Sequence, residues 1–304
     1  MRIGFIGLGR MGGPIAKNVL TGGHCVTVHD LRPEAAVEHL TQGAVWAETP
    51  EEVGLDSDVV ITMLPGPYDV EEVLLGGFGL LRGLAAGSIW VDLSTCLPET
   101  ANRIRLAAAP HQIAVVDAPI SGNAEAAAAG TLQMFVGGNE ADVTRVLPIL
   151  KVIGDPSRMP HVGPHGAGYT VKLLINLLWC SHLIAASEAL SLGVKAGVDL
   201  TTLYRSLLCS PAAGSLLEQD ILSVFKDGEY GHSLPLEASC KDLSLAVDLA
   251  RDVGIPVELS ALVEQIYQRA RVLYGGQAGE MMPIRLYEDT SGFPLRTPQS
   301  EVER

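Results

Sequence analysis

Residues 2–20 read RIGFIGLGRMGGPIAKNVL, and this stretch decides the fold. Arg2–Ile6 is a short β-branched and aromatic run, the composition of a strand. Gly7-Leu8-Gly9-Arg10-Met11-Gly12 follows at once, and Ile15–Leu20 then repeats at helical spacing. Strand, glycine turn and helix in that order raise a bare GxGxxG above chance. Each glycine has a physical task. Gly7 permits the tight turn, Gly9 lets backbone approach a pyrophosphate, and Gly12 lets the helix close on the strand. The helix N-terminus then offers N–H donors to phosphate. A tight turn without a ligand is the plain alternative.

Cys25–Asp30 (CVTVHD) reads as the second strand, with Asp30 about 20 residues beyond the glycines. A carboxylate there binds ribose hydroxyls and repels a 2′-phosphate, so NAD is expected. Arg32, two residues on, can accommodate that phosphate, which keeps NADP as the lesser alternative. Asp58–Leu64 (DVVITML) is an apolar run of the buried parallel kind, and Ser88–Ser94 (SIWVDLS), Ile113–Ala118 (IAVVDA) and Gln133–Gly138 (QMFVGG) read as further strands. Leu64, Pro65, Thr95 and Ser121 fall at the carboxyl ends of such runs, where ligands collect in an open parallel sheet. For any one of them, ordinary loop chemistry is an equal reading. Ser121-Gly122-Asn123 offers small residues and backbone N–H groups that could hold a carboxylate. Pro98 opens a helix, and Ala141–Ile153 is an amphipathic helix with Asp142 near its start and Lys151 near its end, as the helix dipole prefers.

His165–Gly193 (HGAGYTVKLLINLLWCSHLIAASEALSLG) runs almost wholly apolar for about seven turns at roughly 3.6 residues each. Such a helix is expected to be buried on every side. Lys172 and Asn176 nevertheless share one of its faces. Burying an ammonium is costly, so the lysine needs a chemical reason. Lys172, Asn176, His182 and Glu188 favour a buried helix over a membrane span. Beyond Gly193 the spacing is helical throughout, over Leu200–Leu208, Ala213–Phe225, Pro235–Val253 and Val257–Leu273. Lys241 and Asp242 read first as solvated positions on an amphipathic face. From Gly279 onward, with Pro283, Asp289, Gly292 and Pro298, the tail reads as loop ending in a frayed, charged terminus.

The fold class that follows is α/β: an N-terminal Rossmann-type doubly wound parallel sheet over residues 1–162, then an all-helical domain for substrate and dimerisation over 163–304, joined by a long interdomain helix. Composition agrees with a packed globular chain, 47% hydrophobic and 18% charged. With 35 acidic against 21 basic residues the net charge is −14, which repels nucleic acid and anionic membranes as partners. Five scattered cysteines without a CxxC pair or metal spacing argue for reduced thiols in a cytoplasmic compartment and for no bound metal. The N-terminus is too short and glycine-rich for a signal peptide.

Four separated stretches together resemble the β-hydroxyacid dehydrogenase family, which includes 3-hydroxyisobutyrate dehydrogenase and tartronate semialdehyde reductase. Gly7 to Gly12, on through Ala16 and Asn18, looks like its cofactor motif. Asp117-Ala118-Pro119-Ile120-Ser121-Gly122, on to Gly130, looks like its substrate motif. Gly166-Ala167-Gly168, Lys172 and Asn176 look like its catalytic motif, and Lys241-Asp242-Leu243 like its cofactor-contacting segment. The resemblance implies Lys172 as acid/base, Asn176 beside it, Ser121 and Gly122 on the substrate carboxylate, and Leu64, Pro65, Thr95 and Lys241 along NAD. Asn123 stands where a second glycine is common, and Ile175 where a first asparagine is, so both bear on substrate choice. The implied reaction interconverts a short 3-hydroxy acid and its semialdehyde, in a homodimer or homotetramer. Lysine suits it if burial lowers its pKa toward neutrality. Rival readings are an imine reductase or NADP-dependent carbonyl reductase on the same scaffold, and a dinucleotide-binding protein without turnover. A 6-phosphogluconate dehydrogenase would need a basic cluster that the sequence lacks.

Overall fold

The computed structural model describes residues 1–231 and 234–297. The chain divides into two compact units, one from Met1 to Lys172 and one from Leu173 onward. That division lies inside the long helix rather than near Val162, because the helix's first turn is bonded to the sheet.

The first unit holds the strands β1 (Arg2–Ile6), β2 (Cys25–His29), β3 (Val45–Trp46), β4 (Val59–Thr62), β5 (Ile89–Asp92), β6 (Ala114–Asp117), β7 (Ile120–Ser121), β8 (Gln133–Met134), β9 (Val136–Gly138) and β10 (His161–Gly163). Eight form one sheet in the order β10-β9-β6-β5-β4-β1-β2-β3, and β7 pairs β8 separately. Strands β1 to β6 are parallel, and their register places Ile6 opposite both His29 and Thr62, Thr62 opposite Asp92, and Asp92 opposite Asp117. The carboxyl ends of five strands therefore lie in one row. This is the edge where ligands collect in such sheets.

These strands are apolar along their length because both faces are covered. Alternate side chains go to opposite faces. On one face Phe5, Ile61, Val91 and Val116 meet Ile15 and Val19 of helix Gly12–Thr21 and Ile149 of helix Glu140–Ile153. On the other, Ile6, Val60 and Trp90 meet Leu74 of helix Pro67–Leu75 and Ile104 of helix Pro98–Ala108. Two details depart from the sequence reading. Gln133–Gly138 is two strands, since Phe135 turns the chain from the β7 partner into the main sheet. The sheet is also mixed, because β9 runs antiparallel to β6.

In the second unit, helix Ala167–Lys195 supplies Cys180, Leu183, Ile184 and Leu190 to a core. Tyr204 of Leu200–Leu208, Leu243 of Leu236–Val253, Tyr267 of Glu258–Tyr274 and Ile284 of Pro283–Ser291 complete it. By length and composition the long helix could cross a membrane, yet these residues make it a core element. It is not buried on every side as expected, for Leu174, Leu178 and Leu192 are 47%, 54% and 72% exposed. Ala213–Phe225 is not one helix either: a π-helical turn, Leu216–Asp220, precedes helix Leu222–Asp227. The expected loop after Gly279 contains helix Pro283–Ser291, which starts on a proline at its first turn and buries Ile284 and Leu286. Leu295 beyond it is buried as well, whereas Pro298 and the charged terminus lie outside the described residues.

Gly168 shows how tightly the long helix meets the sheet of the first unit. A Cβ there would stand 2.2 Å from Phe135 O and 2.7 Å from Asp117 Oδ2. Gly168→Ala should therefore cost about 1–3 kcal/mol of overpacking strain, read as a lower urea midpoint. An unchanged midpoint would show that the backbone can relax there.

Candidate active site

The glycine turn is shaped by close approaches. Gly7 has φ +96, and a Cβ on it would lie 2.3 Å from Met63 O; one on Gly12 would lie 1.9 Å from Gly7 O. Gly9 is different, with nothing within 4 Å of the added carbon. Gly7 and Gly12 serve the fold, and Gly9 leaves space against bare backbone. No side chain caps the following helix at Met11, so its N-terminus is open to an anion. Leu8, Gly9, Arg10, Gly13, Lys17 and Arg32 line a cleft of about 610 Å³ at this turn.

Asp30 lies just past β2 and is held from two sides. Its Oδ2 accepts from Leu8 N–H at 2.7 Å and its Oδ1 from Arg32 N–H at 2.9 Å. The Arg32 guanidinium is 3.6 Å away on the exposed side. The carboxylate thus ties the glycine turn to the second strand. After β4, Leu64 N–H donates to Ser94 Oγ at 2.9 Å, which joins the loop of Leu64 and Pro65 to the half-buried Thr95 segment after β5.

Ser121 ends β7 opposite Gln133. Gly122 follows with φ +139, and a Cβ on it would meet Leu132 Cδ2 at 2.8 Å. Asn123 caps helix Ala124–Ala129, its Oδ1 accepting from Ala126 N–H at 2.9 Å. An N-cap of this kind explains why an asparagine stands here. Its carbonyl oxygen is committed to the helix and its amide N–H groups remain as donors.

The start of the long helix is bound to Asp117 at the end of β6. Asp117 is fully buried; Gly166 N–H donates to its Oδ1 at 2.7 Å and Tyr169 N–H to its Oδ2 at 3.0 Å. His165 Nδ1 lies 3.0 Å from Oδ1. Lys172 follows one turn later and is buried. In the second unit, Asn176 Nδ2–H donates to Asp242 Oδ2 at 2.6 Å, and Lys241 Nζ is 3.2 Å from Asp242 Oδ1. Asp242 is 5% exposed, so it is no solvated surface position as its sequence context suggested. A carboxylate only accepts here, so the Asn176 amide must turn its NH₂ toward Asp242 and leave its Oδ1 for another donor.

The sequence alone did not single out Asp92 or Tyr169, and it offered Asp117 and Asp242 only as members of two motifs, without their buried hydrogen bonds. Asp92 and Asp117 carried a signal: each closes an apolar strand run, in SIWVD and IAVVD. A carboxylate buried at such a place must have partners.

Comparison with known proteins adds family evidence. Residues 2–163 match the family described as the NAD binding domain of 6-phosphogluconate dehydrogenase. Residues 166–287 match the family described as NAD-binding of NADP-dependent 3-hydroxyisobutyrate dehydrogenase. The chain is 34% identical over 295 residues to 2-(hydroxymethyl)glutarate dehydrogenase of Eubacterium barkeri, covering 97% of each. It is 36% identical over 276 residues to 3-hydroxyisobutyrate dehydrogenase of Pseudomonas aeruginosa, covering 87% of this chain and 90% of the relative. A solved structure of Mycobacterium tuberculosis 3-hydroxyisobutyrate dehydrogenase with L-serine has a TM-score of 0.87 at 27% identity, covering 94% of this chain and 98% of that one.

Removing the carboxylate that orients Asn176 gives a direct check on the second unit. Asp242→Ala should leave the Asn176 amide short of an acceptor and cost about 1–3 kcal/mol in urea unfolding. A variant as stable as the parent would mean that water replaces the lost partner.

Proposed function

We propose that this chain, which belongs to the β-hydroxyacid dehydrogenase family of the 3-hydroxyisobutyrate dehydrogenase type, uses NAD to interconvert a short 3-hydroxy acid and its semialdehyde, with Lys172 as general acid–base. The observation that carries this reading is a buried lysine one turn into a helix whose start is bonded to the carboxyl edge of a dinucleotide-type sheet.

The residues present fit a dinucleotide. The open face of Gly9, the uncapped helix N-terminus and the cleft beside them suit the pyrophosphate, and Asp30 suits the adenosine ribose. Leu64, Pro65 and Thr95 follow the ends of β4 and β5, and the family motif adds Lys241. When bound, NAD supplies the hydride acceptor, and the protein supplies orientation and electrostatics. In oxidation the Lys172 amine takes the proton of the substrate hydroxyl; in reduction its ammonium returns that proton to the carbonyl oxygen. The family motif adds Asn176, whose amide is oriented by Asp242. Ser121 and the Gly122 backbone hold the substrate carboxylate, and the Asn123 amide donors lie next in sequence. Arg10 and Arg32 line the same cleft, which is the feature favouring NADP as a second cofactor.

The working form is a homodimer or homotetramer. Exposed Leu174, Leu178, Ala185, Ala189 and Leu192 recur on one face of the long helix, and that apolar stripe supports self-association. None of the five cysteines is in a disulfide, which supports a cytoplasmic, reducing location.

Lys172→Ala should lower kcat by about 10²–10⁴ while NADH affinity stays near that of the parent. Near-intact turnover in a variant that still binds NADH would end the assignment of the lysine. A spectrophotometric screen of short 3-hydroxy acids and semialdehydes should give turnover with NAD above that with NADP. Activity confined to imines or to NADP would refute the reaction stated above. Leu178→Glu with Leu192→Glu should shift sedimentation from an oligomer to a monomer, and an unchanged oligomer would exclude the stripe as its interface.

A further inference from the structure

Asp92, at the end of β5, is fully buried. Its Oδ1 accepts from Thr62 Oγ1–H at 2.6 Å and from Ser94 Oγ–H at 2.7 Å. Its Oδ2 accepts from Tyr169 Oη–H at 2.6 Å, and Cys96 Sγ stands 3.8 Å from the same oxygen. Trp90 Nε1–H donates in turn to Thr62 Oγ1 at 2.9 Å. Burial pushes the Asp92 carboxyl above the usual carboxylate range, and the Ser94, Thr62 and Tyr169 donors pull it back. Burial and the nearby Asp92 charge push the Tyr169 phenol well up, so it stays a donor.

This arrangement is expensive. Taking a carboxylate out of water costs several kcal/mol, and a well-packed apolar group of similar size would usually stabilise the core as much or more. Stability does not explain the network, but its connections suggest a use. Through Ser94 Oγ, Asp92 reaches the Leu64 N–H and so the loop after β4. Through Tyr169 it reaches the first turn of the helix Ala167–Lys195, three residues before Lys172, where i and i+3 side chains share a face. One buried carboxylate thus connects, through Ser94 and Tyr169, the loop assigned to the cofactor and the helix turn just before the assigned acid–base.

We propose that Asp92 and Tyr169 are a positioning pair that fixes Lys172 relative to the Leu64–Pro65 loop within the first unit. The proposal rests on the functional reading above for its link to turnover, and on the hydrogen bonds alone for the mechanical coupling. Asp117 holds the backbone of the same helix turn, and Tyr169 adds a side-chain tether that sets its rotation.

Tyr169→Phe deletes one oxygen and keeps the ring, so it removes the tether with the least change to packing. At saturating substrate and NAD its kcat should fall about tenfold or more, with a much smaller change in KM, because a displacement near 1 Å at the reacting groups can cost about 10²-fold. In the same variant, hydrogen exchange at the Leu64 amide should quicken severalfold, although the mutated residue lies far from it in sequence. Tyr204→Phe serves as the structural control: it deletes a buried hydroxyl bonded to Leu217 O in the second unit and should lower stability without changing kcat. Parental kcat with parental Leu64 exchange in Tyr169→Phe overturns the proposal, and so does either change without the other. If Tyr169→Phe does not fold, Ser94→Ala cuts the other arm, and faster exchange at the Gly166 and Tyr169 amides is then the expected result; unchanged exchange there overturns the coupling. A parent chain that turns over no hydroxy acid defeats the functional reading alone, and the exchange data still decide whether the two arms are coupled.

Discussion

Everything about the proposed chemistry depends on a buried carboxylate meeting a helix N-terminus. Asp117 ends β6 and receives two N–H groups from the first turn of the helix Ala167–Lys195. A helix start carries unsatisfied donors and a partial positive charge, so a fixed carboxylate suits it. The contact is so close that Gly137 and Gly168 must lack side chains: a Cβ on either would enter the space of the Asp117 carboxylate. A lysine one turn further on is thereby referred to the strand ends rather than to a loop.

The strand register makes that reference useful. Because Ile6, His29, Thr62, Asp92 and Asp117 lie level, the glycine turn, Asp30, the Leu64 loop and the Thr95 segment all leave the sheet at one edge. Side chains there are bonded across strands, with Leu8 N–H on Asp30 and Leu64 N–H on Ser94. A protein of net charge −14 nonetheless places Arg10, Lys17 and Arg32 around its cleft. Local cations and backbone donors, rather than overall charge, decide what such a cleft accepts.

The second unit supplies a different kind of order. Its helices bury a continuous core around Leu183, Tyr204, Leu243 and Tyr267, while Asp242 carries a charge into that interior. The cost of burying it is offset by the Asn176 amide and the Lys241 ammonium. The result is an asparagine with a defined orientation. The π-helical turn Leu216–Asp220 adds a local irregularity, and there the Trp179 indole donates to Asp220 Oδ2 at 2.8 Å.

Much of this molecule was legible from local pattern. GLGRMG between a β-branched run and a helical repeat determined the turn, the first strand and the first helix, since each rests on neighbours in sequence. Strands β1, β2, β4, β5 and β6 and helix Glu140–Ile153 followed from apolar runs and charge placement, whereas the short β3 left no such run; four-residue spacing put Lys172 and Asn176 on one face of the long helix. What remained hidden was set by partners far along the chain. Nothing near Gln133–Gly138 announces that β9 would run antiparallel to β6, nor do Pro283 and Gly292 show that the residues between them bury Ile284. Asp242 looked like a surface residue because its burial is decided by Asn176, 66 positions away. Asp117 finds its donors 49 and 52 residues on. Sequence by itself determined which segments could form and which residues share a face, because backbone geometry and periodicity are local. Tertiary structure alone decided which carboxylates are buried and whom they hold, because desolvation and pairing depend on everything folded around them.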